Sequence, residues 1–386
     1  MKLINYTKIF FINFFLLYFL LYVLEIFINV KNDTLFKKTR LHYLNKDSKK
    51  DPDQKIYLNF GSYKLLDKNN DMLPLSGYEN SKILLCMDEK NNPVYFISDK
   101  YGFNNQNLNG NENILLIGDS YVQGMCVQTK DNLNAQFKKF NLNTSSLGVG
   151  GNGPLLEFAT FKEFNSDYKF NKLVLFLTIE NDYYDLSKEK NNKILLNYLN
   201  SENFKQKLSS VKNRKKKVEI LDNFFGKKTE RLWNDFLSVY HFNLKQVGNL
   251  IEDLSKGKNK NHNEYLYLQN DEIDKLFIKI INKFIHSAKQ KKFKFYIVFN
   301  SHAPNILYAQ SPDEKRLKKL LYQKAIDIKS YLKTNEIKYF DYGDYLTKNY
   351  NRDNISLIFK KINKKWDHYT EKGNYIFTKE VVNLIR

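Results

Sequence analysis

Ser120 lies in the stretch Ile114–Gly124, ILLIGDSYVQG, where an apolar strand runs into a Gly-Asp-Ser turn. That order of residues sets a hydroxyl and a row of backbone N–H groups at the carboxyl end of a buried strand, where open α/β sheets bind their ligands. A hydroxyl so placed is a candidate nucleophile, and its own N–H is available to a developing oxyanion. The same three residues also make an ordinary strand-to-helix cap. Three further segments stand where acyl transfer needs partners. Gly148–Pro154 (GVGGNGP) follows a second short strand. Its glycines allow backbone to approach a substrate closely and turn an N–H inward, or they simply make a turn. No phosphate-cradle spacing is present there. In Glu180-Asn181-Asp182, after a third strand, the Asn181 amide can donate to an oxyanion or bond loop backbone. His368, in Trp366–Thr370 just before the last helix, supplies a general base for Ser120. Of the other histidines, His42, His241 and His262 fall in a linker or insertion and His286 on a helix. His302 follows a strand at the same edge and is a reserve base.

These residues need a scaffold that brings successive strand ends to one edge, and the pattern supplies one. From Asn113 strands and helices alternate. Strands are expected at Asn113–Ile117, at Ser145–Gly148, at Leu173–Ile179, at Phe293–Phe299 and at Lys338–Asp341. Helices are expected at Asp131–Phe140 (with Thr129 as cap), Leu155–Phe164, Glu272–Lys291, Glu314–Leu332 and Glu371–Ile385. Continuous apolar strands between amphipathic helices predict a parallel sheet covered on both faces. Residues 187–270, rich in Lys and Asn, break the alternation and read as a helical insertion beside the site. Ahead of the main domain, residues 31–50 form a polar linker, and 51–98 hold short β pieces, including a hairpin of Lys82–Met87 and Pro93–Ile97. Ile9–Leu24 is almost wholly apolar and, extended over residues 1–30, has the roughly 20-residue length of one membrane span. A cleaved signal peptide is the rival, but no Ala precedes Ala135 and the first Ser is Ser48. A single-pass anchor carrying an extracytoplasmic domain is therefore expected, although lysines flank the span on both sides.

A chain of 386 residues with 42% hydrophobic and 15% aromatic content has ample material for a core, which excludes wholesale disorder. The net charge of +20 comes from scattered lysines, and only Arg214–Lys217 is a tight run. Aromatic residues fall in the core pattern and the anchor and do not interleave with that run, so a nucleic-acid partner is not expected. Cys86 and Cys126 make neither a disulfide framework nor a zinc site. They fit a small apolar role better than a single disulfide or a thiol near the site.

Gly118-Asp119-Ser120, Gly151, Asn181-Asp182 and His368, each after a separate strand or before the last helix, resemble the four blocks of the SGNH (GDSL-type) hydrolase superfamily. Asp99–Asn105 (DKYGFNN) ahead of GDSYVQG also resembles a secreted or membrane-anchored subgroup. The likeness is good over 99–186 and loose over 293–386. It implies a flavodoxin-like three-layer α/β/α sandwich for residues 99–386, with Ser120 as nucleophile and His368 as base. The oxyanion donors would be the Ser120 and Gly151 N–H groups and the Asn181 side chain, with no cofactor and no metal. The family's acid usually stands two or three residues before the histidine. Here those positions are Trp366 and Lys365, and the acid available is Asp367, adjacent to His368, and adjacent side chains tend to point apart. The function expected is hydrolysis of an acyl or acetyl ester on a small molecule or cell-envelope glycan. A glycan O-acyltransferase using the same residues is one alternative, and a non-catalytic binding domain is the other.

Overall fold

The computed structural model describes residues 2–31, 56–68, 71–87, 92–105, 112–238, 247–248, 251, 265–362 and 365–386. The side chains of 2–9, 27–31, 87, 226–238, 362 and 365–367 lie outside that description. So do most of the 31–50 linker, the turn 88–91 and most of 239–264. The chain divides into two compact units, residues 1–52 with 222–264 and residues 53–221 with 265–386.

In the first unit, α1 (Lys2–Lys31) presents Phe10, Phe14, Phe15, Leu17 and Phe19 to the exterior. Glu25 is buried and accepts a hydrogen bond from the Val247 N–H at 2.7 Å. Among the described residues no helix is long and apolar enough to cross a membrane.

The second unit holds the site. Its elements in chain order are β1 (Ile56–Leu58), β2 (Lys82–Met87), β3 (Pro93–Ile97), β4 (Ile114–Ile117), α2 (Ser120–Gln123), α3 (Leu133–Lys139), β5 (Thr144–Ser146) and α4 (Pro154–Phe164). There follow β6 (Lys172–Leu177), α5 (Ile179–Glu189), α6 (Lys193–Asn200) and α7 (Val211–Ser238), of which 211–221 belong to this unit. The chain continues through α8 (Asp271–Lys291), β7 (Lys294–Phe299), α9 (Pro304–Leu307), α10 (Pro312–Thr334), β8 (Lys338–Asp341), α11 (Tyr342–Asn349), β9 (Phe359–Ile362), β10 (Lys365–Tyr369) and α12 (Glu371–Ile385).

Five strands form a parallel sheet in the order β5-β4-β6-β7-β8. Because side chains alternate along each strand, one face of the sheet carries Ile114, Leu116, Val174, Phe176 and Val298. These pack on Phe137 of α3, Leu346 of α11 and Phe377 and Val381 of α12. On the opposite face, Phe295 stacks on Phe284 of α8, which in turn meets Phe158 and Phe161 of α4. Helices therefore cover both faces, as an all-parallel sheet needs. From β4 the chain crosses one face through α3 to β5. It then crosses the other face through α4 to β6 on the far side of β4. The sheet order reverses at β4, so the crevice between the carboxyl ends of β4 and β6 is the place where such sheets take ligands.

Local chemistry sets the helix boundaries. Asn132, not Thr129, caps α3: its side chain accepts from Ala135 N–H at 2.9 Å, while the Thr129 hydroxyl donates to the Tyr95 carbonyl. Ser311 and Glu314 form a reciprocal capping box with Pro312 at the first turn of α10. Residues 187–221, which the sequence sets apart with the insertion, pack into this unit. The Tyr198 hydroxyl of α6 bonds Glu163 of α4, and the Gln206 side chain bonds both backbone groups of Leu73.

The cysteines correct the expectation of two buried apolar residues, because Cys86 of β2 and Cys126 after α2 form a disulfide with Cα atoms 5.4 Å apart. β1–β3 form a separate small sheet, so the bridge ties this N-terminal extension to the turn that follows Ser120. It closes a loop of 40 residues, for which chain entropy alone gives about 4 kcal/mol. Reduction, or Cys86→Ser, is expected to lower the melting temperature by several degrees; calorimetry with and without dithiothreitol measures it.

Candidate active site

The Ser120 turn is built by Asp119. Its Oδ1 accepts the Tyr121 N–H at 2.9 Å, capping the short helix that begins at Ser120. Its Oδ2 accepts from the Asn181 side-chain amide at 3.0 Å, so one carboxylate couples the ends of β4 and β6. That bond fixes the Asn181 amide beside the serine turn, with a second N–H left for another acceptor. Asn181 itself is held in a tight first turn of α5, where Asp182 Oδ2 accepts the Thr178 N–H at 2.7 Å.

His368 reaches this centre from the other end of the chain. Its Nε2 lies 2.7 Å from Ser120 Oγ, across 248 positions of sequence. A neutral imidazole with its proton on Nδ1 accepts the serine hydroxyl there. His368 sits on β10 of a hairpin with β9, an element the sequence reading missed. Trp366 pairs with Lys361 and Tyr369 with Phe359, so Asp367 and His368 together face one partner residue, a β-bulge. A bulge breaks strict alternation, so adjacency in sequence does not by itself set Asp367 and His368 on opposite faces. The side chain of Asp367 lies outside the described residues. One aromatic contact steadies the imidazole: the Tyr121 ring lies 4.7 Å from it. The next residue along β10, Tyr369, is buried, and its hydroxyl accepts the Ser301 N–H at 3.0 Å.

The glycine loop closes the third side. Gly151 has φ +78°, in the left-handed region, and a Cβ placed there would lie 2.3 Å from Cε1 of Tyr63. Tyr63, from the N-terminal extension, thus covers the loop. Glu189 of α5 caps the loop's exit, accepting the N–H groups of Gly153, Leu155 and Leu156 at 2.7, 2.9 and 3.3 Å. Burial pushes its carboxyl up to about 8, against the pull of those N–H bonds. Glu157 and Asp182, also wholly buried, are raised well above the usual carboxylate range, burial being the largest cause. For Gly151→Ala the left-handed backbone alone costs about 1–2 kcal/mol, and Tyr63 must move as well. The expected result is a lower melting temperature together with a loss of about tenfold or more in ester turnover, read by calorimetry and steady-state kinetics on one preparation.

His302, the reserve base, follows β7 and is buried, its Nδ1 3.8 Å from Glu180 Oε2. Burial first, then Lys318 and Lys329, push its pKa down to about 4. The imidazole at the Ser120 hydroxyl is that of His368.

Asp99–Asn105 is a buttress. Asp99 Oδ1 gathers the N–H groups of Tyr101, Gly102 and Phe103. The Asn105 side chain bonds both the N–H and the carbonyl of Ser146, covering the free edge of β5. The Asn104 amide donates to the Gln123 carbonyl at 2.8 Å. Sequence reasoning missed Gln123, Asn59 and Tyr63. Only the position of Gln123 inside the serine segment could have flagged it; the other two lie far from any motif. Among the described residues no His, Cys, Asp and Glu cluster could hold a metal ion.

No protein-family model matches this chain, and no curated protein does. Among solved structures it is similar to a putative lipolytic protein of the G-D-S-L family from Desulfitobacterium hafniense DCB-2, at 10% identity and TM-score 0.38, over 71% of this chain and 100% of that one. It is also similar to a member of the lipolytic protein G-D-S-L family from Veillonella parvula DSM 2008, at 12% identity and TM-score 0.37, over 71% and 98%. A third is the acetyl xylan esterase AlAXEase, at 10% identity and TM-score 0.34, over 71% and 100%.

Proposed function

We propose that the chain is a serine-dependent ester hydrolase of the SGNH type. The observation that carries this reading is the 2.7 Å approach of His368 Nε2 to Ser120 Oγ. In the reaction Ser120 Oγ attacks the ester carbonyl carbon, and its proton passes to His368 Nε2. The oxyanion that forms is met by the N–H groups of Ser120 and Gly151 and by the Asn181 amide. Collapse breaks the bond to the alcohol, which leaves with the proton from His368. Water, activated by the same imidazole, then attacks the acyl-serine and releases the acid. Asp367 is assigned the role of orienting His368. The substrate class is a short acyl ester, on a small molecule or a cell-envelope carbohydrate. Turnover of 4-nitrophenyl acetate with release of acetate is the test, and its absence from a folded, full-length preparation contradicts the reading.

α1 is proposed to anchor this enzyme in a membrane with the catalytic unit outside the cytoplasm. Its exposed phenylalanine and leucine side chains need an apolar environment. The Cys86–Cys126 bridge suits an oxidising compartment.

A further inference from the structure

The oxyanion loop does not rest on the α/β unit alone. Gln123 is nearly completely buried, at 5% exposure, and its side-chain amide makes three hydrogen bonds. Its Oε1 accepts the Gly150 N–H at 2.9 Å and the Asn59 Nδ2 at 3.1 Å, and its Nε2 donates to Asn59 Oδ1 at 2.9 Å. The two amides thus form a closed pair, with Gly150 as third member. Gly150 is the residue next to Gly151, and a Cβ on it would lie 3.6 Å from the Cβ of Ser120. On the other side of the pair stands the N-terminal extension. A Cβ on Gly61 would lie 2.7 Å from the Gly150 carbonyl oxygen, and the Tyr63 ring covers Gly151. Gln123 shares a single turn of helix with Ser120.

We propose that Gln123 is a positioning residue for acyl transfer, holding the Gly150-Gly151 backbone at the distance from Ser120 that the oxyanion requires, with Asn59 as its brace. It touches no reacting atom. It acts because a carbonyl oxygen becomes a full charge only in the transition state, and donors that must first be gathered stabilise that charge less than donors already fixed. Residues 59–63 are therefore part of the catalytic unit.

The inference rests on the proposed ester chemistry at Ser120, so the experiment separates the two. Full-length protein is reacted with a fluorophosphonate, which forms a bond from Ser120 Oγ to phosphorus and releases fluoride, and is assayed in parallel on 4-nitrophenyl acetate. If the parent neither labels nor turns over, the ester reading fails, and this inference with it. If the parent does both, Gln123→Leu, close in volume but with no amide, is expected to lose about 10- to 100-fold in kcat and in labelling rate with KM little changed. Asn59→Leu is expected to follow it to a smaller degree. Gln123→Glu supplies a sharper readout. Its protonated carboxyl reproduces all three bonds, with C=O accepting from Gly150 and Asn59 and O–H donating to Asn59 Oδ1, whereas the ionised form sets an anion against that oxygen. Measured against the parent at the same pH, this variant is expected to recover most of the loss while its carboxyl is protonated and to lose it again once the carboxyl ionises. If Gln123→Leu misfolds, the Gln123→Glu and Asn59→Leu profiles decide. Parent-like kcat and pH profiles in both, or in a folded Gln123→Leu, overturn the proposal.

Discussion

Ser120→Ala is expected to lower turnover of short acyl esters by roughly 10⁵-fold or more while leaving the melting temperature close to that of the parent. The hydroxyl is partly exposed at the end of β4 and holds no part of the core together, so its loss leaves a folded protein. What disappears is the oxygen at which the His368 imidazole is aimed, and the acyl-serine can no longer form. The oxyanion donors and the substrate contacts remain, so a residual rate above the uncatalysed reaction persists. Steady-state kinetics with calorimetry on the same sample decides. A variant that keeps even one tenth of parental activity contradicts the assignment of the nucleophile.

The second large effect is expected at His368. His368→Ala removes the proton acceptor at 2.7 Å, and the fall in kcat is expected to approach that of Ser120→Ala, since nucleophile and base act as one unit. One consequence separates this from a packing defect. The double variant should be little worse than either single one. Strict additivity of the two losses contradicts a shared proton path.

Much of this scaffold was legible because it is made of strong local signals. ILLI and KLVLFL are continuous apolar runs that must be buried on both faces, and they form β4 and β6 of the parallel sheet. The amphipathic period of Glu272–Lys291 lies within α8, and Thr370 caps α12 just after the histidine segment. What the sequence hid is set by non-local contact. The β9–β10 hairpin carries Lys361, Lys365 and Trp366 in no regular alternation, and its bulge, which decides where His368 points, has no sequence code of its own. The Cys86–Cys126 pairing depends on how β2 packs beside the serine turn. Asn59 and Tyr63 carry no motif, because what they contact is backbone and amide 60 to 90 residues away. Asn132 displaced Thr129 as a cap for a local reason: the extra residues form a 3₁₀ turn that shifts the start of α3.

The most direct test of the central claim is site-resolved trapping. Full-length protein is incubated with a fluorophosphonate, digested and mapped by tandem mass spectrometry, alongside His368→Ala. A single stoichiometric adduct on the peptide containing Ser120, formed far more slowly in the variant, is the predicted result. An unmodified Ser120 in folded protein, an adduct on another residue, or labelling that ignores the loss of His368 would contradict it.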